Sequence, residues 1–212
     1  GNLNNFKVIG DTIEFNLTSM QAKDIKTQLT IKEMSTFFRI SQSSMEFLGL
    51  NMKANDNVIS DTIIFKYNSQ AELSEFNKKV SIDVHFKNTK LYPEDLSLFT
   101  TGLEKMKAPV FLTGHITGKV SHFTFSPMQV TIGSSTLNGS LEMDGLPSIR
   151  ETFINAKLRP SQLHSRDIAF VLPANAITLL GQLKEVDLKG NFLGFITDFV
   201  ADGDILTQFG QI

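Results

Sequence analysis

Lys79-Val80-Ser81-Ile82-Asp83-Val84-His85-Phe86-Lys87 alternates apolar and polar side chains without a break. Successive side chains of an extended strand point to opposite faces, so this stretch reads as a half-buried β-strand. The same period of two continues on either side. Upstream, Ile13, Phe15 and Leu17 alternate with polar neighbours, as do Leu48, Leu50 and Met52, and Ile63, Phe65 and Tyr67. Downstream come Val110–Val120, Met128–Ile132, Leu137–Met143, Ile154–Leu158, Val186–Ile196 and Phe199–Ile205. Turn formers punctuate these runs at 54–57, 133–135 and Asp202-Gly203-Asp204. The expectation is an all-β chain of antiparallel strands, each with one apolar and one wet face.

Helical signal is confined to three places. Tyr92–Phe99 carries Pro and acids where a helix would start. Ser165–Ile168 could open one turn, and Pro173–Leu180 runs up to a glycine stop at Gly181. Such short pieces suit the capping of sheet edges. One internal echo stands out. Leu112, Gly114, Gly118, Val120 and Phe123 return with the same spacing as Leu188, Gly190, Gly194, Ile196 and Phe199, which suggests two related hairpin units. The glycines share the parity of the apolar residues and mark a bend, a bulge or a close approach.

The chain of 212 residues can bury a core without a covalent staple. Its 20 basic and 22 acidic residues leave it near neutral, a poor basis for nucleic-acid binding. With no cysteine it has no disulfide, thiolate metal site or Cys nucleophile. No stretch is long and apolar enough for a transmembrane helix. The chain opens at Gly1 and ends at Ile212 inside an alternating segment, and is expected to be a piece of a longer protein. The aromatic balance is skewed to 18 Phe against 2 Tyr and no Trp. Phe lacks the polar handle that Tyr and Trp place at wet boundaries, so the excess fits either a Phe-rich core or an apolar surface for a partner without hydrogen bonds.

Chemistry is hard to find. His85, His115, His122 and His164 show no helical pair spacing and no carboxylate at metal-ligand spacing, so all four read as solvated surface residues. Asp202-Gly203-Asp204 lacks the later carboxylates of a calcium loop and reads as a turn. Asn138-Gly139 fits a glycosylation pattern but is more simply a tight hairpin turn. No nucleophile elbow or phosphate loop is present. Neither an enzyme, nor a catalytic residue, nor a metal, nor a cofactor is expected. The apolar faces remain. Either two sheets pair them into a closed β-sandwich, or one sheet curls so that its apolar face lines a trough. Alternation alone does not separate the two.

From Asp95 to Gly210 the chain resembles the TamB-type translocation and assembly module proteins of the AsmA-like superfamily. The resemblance rests on Asp95–Phe99, the Leu-x-Gly-x-x-x-Gly-x-Val unit at 112–120, Leu141–Pro147, Thr152-Phe153-Ile154, and Gly190–Gly203 followed by Asp204–Gly210. It implies a long antiparallel sheet curled into a taco-like, U-shaped groove with an apolar interior, spanning 1–212 as one segment with sub-units 1–91 and 92–212. It further implies a periplasmic location, an inner-membrane anchor outside this piece, and phospholipid as cargo moving between inner and outer membranes. An outer-membrane β-barrel partner of the TamA/BamA type would engage regions outside it. The expected groove lining is Val80, Ile82, Val84, Phe86, Leu112, Ile116, Val120, Val130, Ile132, Leu141, Met143, Val186, Leu188, Phe192 and Ile196. The competing expectations are an assembly scaffold acting through strand edges and a closed sandwich binding module.

Overall fold

The computed structural model describes residues 1–25, 29–96, 106, 108–168 and 185–211. Among them the chain is all-β, built from antiparallel strands with a few single-turn helices. Two compact units emerge: Gly1–Leu91 with His115–Val120, and Tyr92–Gly114 with Ser121–Ile212.

The first unit is a meander in which each strand pairs antiparallel with the next. Its strands are β1 (Asn2–Ile9), β2 (Thr12–Lys23), β3 (Thr30–Ile40), β4 (Ser44–Ala54), β5 (Asn57–Lys66) and β6 (Ser81–Leu91). The tight turns follow their residues. Gly10 (φ 58°) and Asn55 (φ 51°) adopt the left-handed conformation that a two-residue hairpin requires, and Gly and Asn tolerate it best. A 3₁₀ turn at Gln70–Glu75 runs into α1 (Phe76–Lys79) between β5 and β6.

The expected strand at Lys79–Lys87 begins two residues later, at Ser81. Lys79 ends α1, and Val80 is the cap residue whose N–H donates to the Phe76 carbonyl at 3.1 Å. Val80 and Val84 are buried, with Met34, Leu50, Ala54 and Tyr67. The Tyr67 hydroxyl is anchored on the Ser41 and Ser44 carbonyls at 3.1 and 3.0 Å.

The second unit repeats the meander. It contains β8 (His122–Ile132), β9 (Ser135–Asp144), β10 (Phe153–His164), β11 (Glu185–Phe195), β12 (Asp198–Thr207) and β13 (Gly210–Gln211). The intervening β7 (Val110–Lys119) divides between the units at Gly114. A single turn lies at α2 (Pro93–Leu96), inside the helical signal at Tyr92–Phe99 whose residues 97–99 lie outside the described residues, and another at α3 (Ser165–Ile168), where one turn is expected; the expected helix at Pro173–Leu180 lies outside the described residues. Met106, Val110, Phe125, Met128, Ala156 and Val186 are the buried apolar residues of this unit among those described.

Two expected turns prove to be strand interior. Asn138-Gly139 lies within β9, and Asp202-Gly203-Asp204 within β12; the actual turns are Gly133-Ser134 and Ile196-Thr197. The reason is backbone crowding. A Cβ on Gly139 would sit 2.0 Å from the Lys157 carbonyl oxygen, and one on Gly190 would sit 2.1 Å from that of Asp202. Glycine is there because the neighbouring strand comes too close for any side chain, the close-approach alternative. The internal echo marks equivalent ends: β7 stops at Lys119 and β8 starts at His122, just as β11 stops at Phe195 and β12 starts at Asp198.

Candidate functional site: an apolar strand face

In the first unit the register sorts side chains into two unlike faces. One row crosses the sheet as Phe15, Phe38, Phe47, Ile63 and Val84; the next runs Ile13, Ile40, Met45, Phe65 and Ile82. The rings form a ladder, with centroids 6.3 Å apart for Phe6–Phe15, 5.1 Å for Phe15–Phe38, 5.1 Å for Phe38–Phe47, 6.2 Å for Phe47–Phe65 and 5.0 Å for Phe65–Phe76. Of the ten residues in the two rows only Val84 is buried; eight are half-buried, and Ile13 is 37% exposed. The row between them, Glu14, Arg39, Glu46, Ile64 and Asp83, faces the other way and is charged except at Ile64. Lys7, Glu14, Arg39 and Glu46 form a row of ion pairs, with Arg39 3.3 Å from Glu14 and 3.2 Å from Glu46.

The second unit shows the same division, and its apolar face holds a cavity of about 590 Å³. Val186, Leu188 and Phe192 of β11 line it with Leu158 and Leu163 of β10 and Ile205 of β12. Register explains the convergence: Leu163 lies opposite Val186, Ala156 opposite Phe192, and Ile205 opposite Leu188. Lys189, Asn191, Asp202 and Asp204 add polar groups to the lining, with the Asn191 amide donating to Asp202 at 3.0 Å. The volume lies in the range of ligand sites, about 300–1,000 Å³. Exposure rises toward β12, where Phe199 is 53% and Val200 72% exposed.

The fifteen residues expected from the sequence divide accordingly. Ile82, Val84 and Phe86 share the aromatic face of the first unit. Leu141 and Met143 share the face of Phe192 through Ala156 and Ile154, and Val186, Leu188 and Phe192 meet in the cavity. Val130 and Ile132 pair with Leu137 and Ser135 on that face. Leu112 and Ile116 lie half-buried in β7. Three are placed differently. Val80 is 0% exposed at the C-terminal cap of α1, just before β6, and so lies in the core and lines no surface. Val120 and Ile196 fall in the turns after β7 and β11, where the alternation runs on past the strand ends.

Leu163 was missed as lining because a bulge separates it from Leu158, the last residue of the even-numbered apolar run. Between Leu158 and Ser161 β10 carries one residue more than β11, so the inward parity changes from even to odd. Pro160 was the available signal, since proline inside a strand belongs at an edge or a bulge. Its consequences are held by Ser161, whose hydroxyl oxygen accepts the Asn138 N–H at 2.9 Å.

The wet face of the first unit also corrects the reading of two histidines. Asp83 and His85 lie two apart on β6 and so point the same way. His115 of β7 joins them: its ring stacks on that of His85 at 3.9 Å, and its Nε2 lies 2.8 Å from Asp83 Oδ1. His85 Nε2 is 3.7 Å from the same oxygen, while Lys66 Nζ holds Asp83 Oδ2 at 3.0 Å. The His115 hydrogen bond, aided by Lys66 against the opposing effect of burial, keeps the Asp83 carboxyl below the usual range. Residues 83 and 115 are distant in sequence, so no local spacing could have signalled the cluster.

No protein-family model, curated protein or solved structure matches this chain. Among the described residues no helix is long and apolar enough to cross a membrane.

Proposed function

We propose that this chain is a segment of a lipid-transfer conduit, carrying phospholipid acyl chains along the apolar faces of its strands. The observation that carries this reading is the incomplete burial of those faces. Two full rows of Phe, Ile, Met and Val cross the first unit, and one residue of the ten is buried. A sheet face that packs against a second protein layer loses most of its water, and its central side chains become core. Here the layer is incomplete, and an acyl chain has the chemistry to complete it. Each methylene removed from water contributes about 0.8 kcal/mol, so eight of them contribute roughly 6 kcal/mol before the cost of association.

The cavity lined by Val186, Leu188 and Phe192 supports the same reading in the second unit. Its apolar walls would impose little positional preference on a hydrocarbon, which suits movement from one position to the next. The resemblance to TamB-type proteins supplies the remainder of the proposal: a periplasmic setting, a taco-like groove, and passage between the inner and outer membranes with a β-barrel partner of the TamA/BamA type.

The test is extraction of the purified chain followed by mass spectrometry of the lipid fraction. Phospholipid at a stoichiometric level, lost in a variant whose apolar face carries a charge, is the expected result. A folded chain that purifies free of lipid and takes up none from vesicles would refute it. A second reading, a scaffold that adds strands to a client, is favoured by β1. Among the described residues β1 pairs with β2 alone, and its Leu3, Phe6, Val8 and Ile9 are 54–61% exposed.

A further inference from the structure

We infer that Asp83, His85 and His115 form a binding site for a divalent transition metal of the zinc class, on the face opposite the aromatic ladder. The three ligand atoms, Asp83 Oδ1 and the two imidazole Nε2 atoms, all lie within 4.8 Å of one another. With metal–ligand bonds of about 2.0–2.2 Å, neighbouring ligand atoms of a tetrahedral site stand roughly 3.3 Å apart. The observed separations from Asp83 Oδ1, 2.8 Å to His115 and 3.7 Å to His85, bracket that value. Rotation of the two imidazoles out of their stack, 3.9 Å between centroids and 14° between planes, brings both Nε2 lone pairs onto one ion.

The donor set selects the metal. Two imidazoles and one carboxylate suit zinc, copper or nickel, whereas calcium and magnesium favour oxygen ligands throughout. The supporting frame is fixed by strand geometry. Asp83 and His85 occupy alternate positions on β6, and His115 comes from β7, which follows β6 in the strand order. Lys66 grips Asp83 Oδ2, leaving Oδ1 to His115 at 2.8 Å and His85 at 3.7 Å. That lysine orients the carboxylate and also repels a cation, so it sets affinity below that of a closed structural site. The three side chains are 27–50% exposed, which leaves the remaining coordination positions to water. Val84, between Asp83 and His85, points to the opposite face, so a metal here adds to the apolar surface without obstructing it.

The experiment uses the whole chain, freed of metal by chelation, titrated with zinc sulfate by calorimetry and with cobalt(II) by visible absorption. One equivalent of zinc should bind, and cobalt should give ligand-field bands. His115→Ala, His85→Ala and Asp83→Asn should each weaken zinc binding at least tenfold and change the cobalt spectrum. Far-ultraviolet circular dichroism checks that each variant folds. Asp83→Asn preserves shape and serves if an alanine variant does not fold. His122→Ala, at a histidine whose nearest acids are Glu142 and Asp144, should leave binding unchanged. Absence of zinc binding in the unaltered chain, binding that survives His115→Ala and Asp83→Asn, or binding that vanishes with His122→Ala would each overturn the assignment.

Discussion

Leu188→Arg distinguishes an uncovered wall from a closed core. Leu188 lies half-buried in the cavity of the second unit, opposite Ser161 on one side and Ile205 on the other. Ile205 is itself 40% exposed, so solvent reaches the neighbouring strand. Full burial of a leucine is worth about 1.5–3 kcal/mol, and a half-buried one roughly half that. An arginine at this position can lay its stem along the cavity and carry its guanidinium to the open side. The expected loss is then about 1–1.5 kcal/mol. For a chain of this size that lowers Tm by roughly 2–6 °C, at about 2–4 °C per kcal/mol. Were the face closed by a second layer, the charge would be buried without a partner, and the cost would rise to several kcal/mol, enough for a fall of about 10 °C or more.

The assay pairs thermal melting by circular dichroism with mass spectrometry of bound lipid. The expected result is a folded variant with a small fall in Tm and little or no phospholipid. Two results refute the reasoning. A collapse of the fold would mean that Leu188 is core. A stable variant that keeps its lipid would mean that the cavity is not where lipid resides.

Two further substitutions test the strand packing. Gly190→Ala should destabilise by more than about 1–3 kcal/mol, because the new methyl would lie 2.1 Å from the Asp202 oxygen and 2.7 Å from the Gly203 Cα, backbone atoms that cannot turn aside; a Tm unchanged within 2 °C would contradict the close approach. Phe38→Ala removes ring contacts at 5.1 Å to both Phe15 and Phe47, each worth about 0.5–1.5 kcal/mol. With the lost half-burial of the ring added, urea titration should show a loss of about 2–4 kcal/mol, and a double-mutant cycle with Phe15→Ala should show coupling that a merely adjacent pair would lack.

Legibility in the sequence followed local order. Stretches with unbroken alternation, such as the start of β6 and most of β11, were readable because period two is a direct projection of the pleat. β3 was not, although it contains Met34, Phe37 and Phe38, because its apolar residues do not alternate cleanly and both partners are irregular against it. β1 was not, because its eight residues are all exposed and no buried face imposes a pattern. The glycines at 139, 190 and 203 were visible, but their letters admit a turn as readily as a close approach. Only the register, which brings Gly190 opposite Gly203, decides between them. For the site, the apolar content of the wall was legible, whereas its partial exposure was not: the same alternation builds a sandwich core and an open face. The Asp83–His85–His115 cluster depends on two strands meeting, which no local window contains.

The bulges carry the strongest argument that continuity of the apolar face governs this sequence. An extra residue in a strand reverses the facing of everything beyond it. At each of three bulges the apolar pattern reverses as well, so the face is unbroken: Phe47 gives way to Leu50 and Met52, Phe125 to Met128 and Val130, and Leu158 to Leu163. The sites carry Gly49, Pro127 and Pro160, residues suited to a break in the ladder. In β4 the extra residue is present relative to both neighbours, since Phe47-to-Leu50 spans three steps against two in β5, and Leu48-to-Asn51 spans three against two in β3. Gly49 is exposed at φ 61°, and nothing lies within 4 Å of where its Cβ would be. Deleting Gly49 therefore restores regular alternation, with Phe47, Leu50 and Met52 still on one face, and the chain should fold with little loss of stability. Deleting Asn51 instead should turn half-buried Met52 outward and Lys53 inward, forfeiting about 0.7–1.5 kcal/mol of methionine burial in addition to the cost of the misplaced lysine. Urea unfolding of the two variants measures the difference directly. If both deletions cost the same, facing is not what the bulge preserves, and the three parity reversals are coincidence.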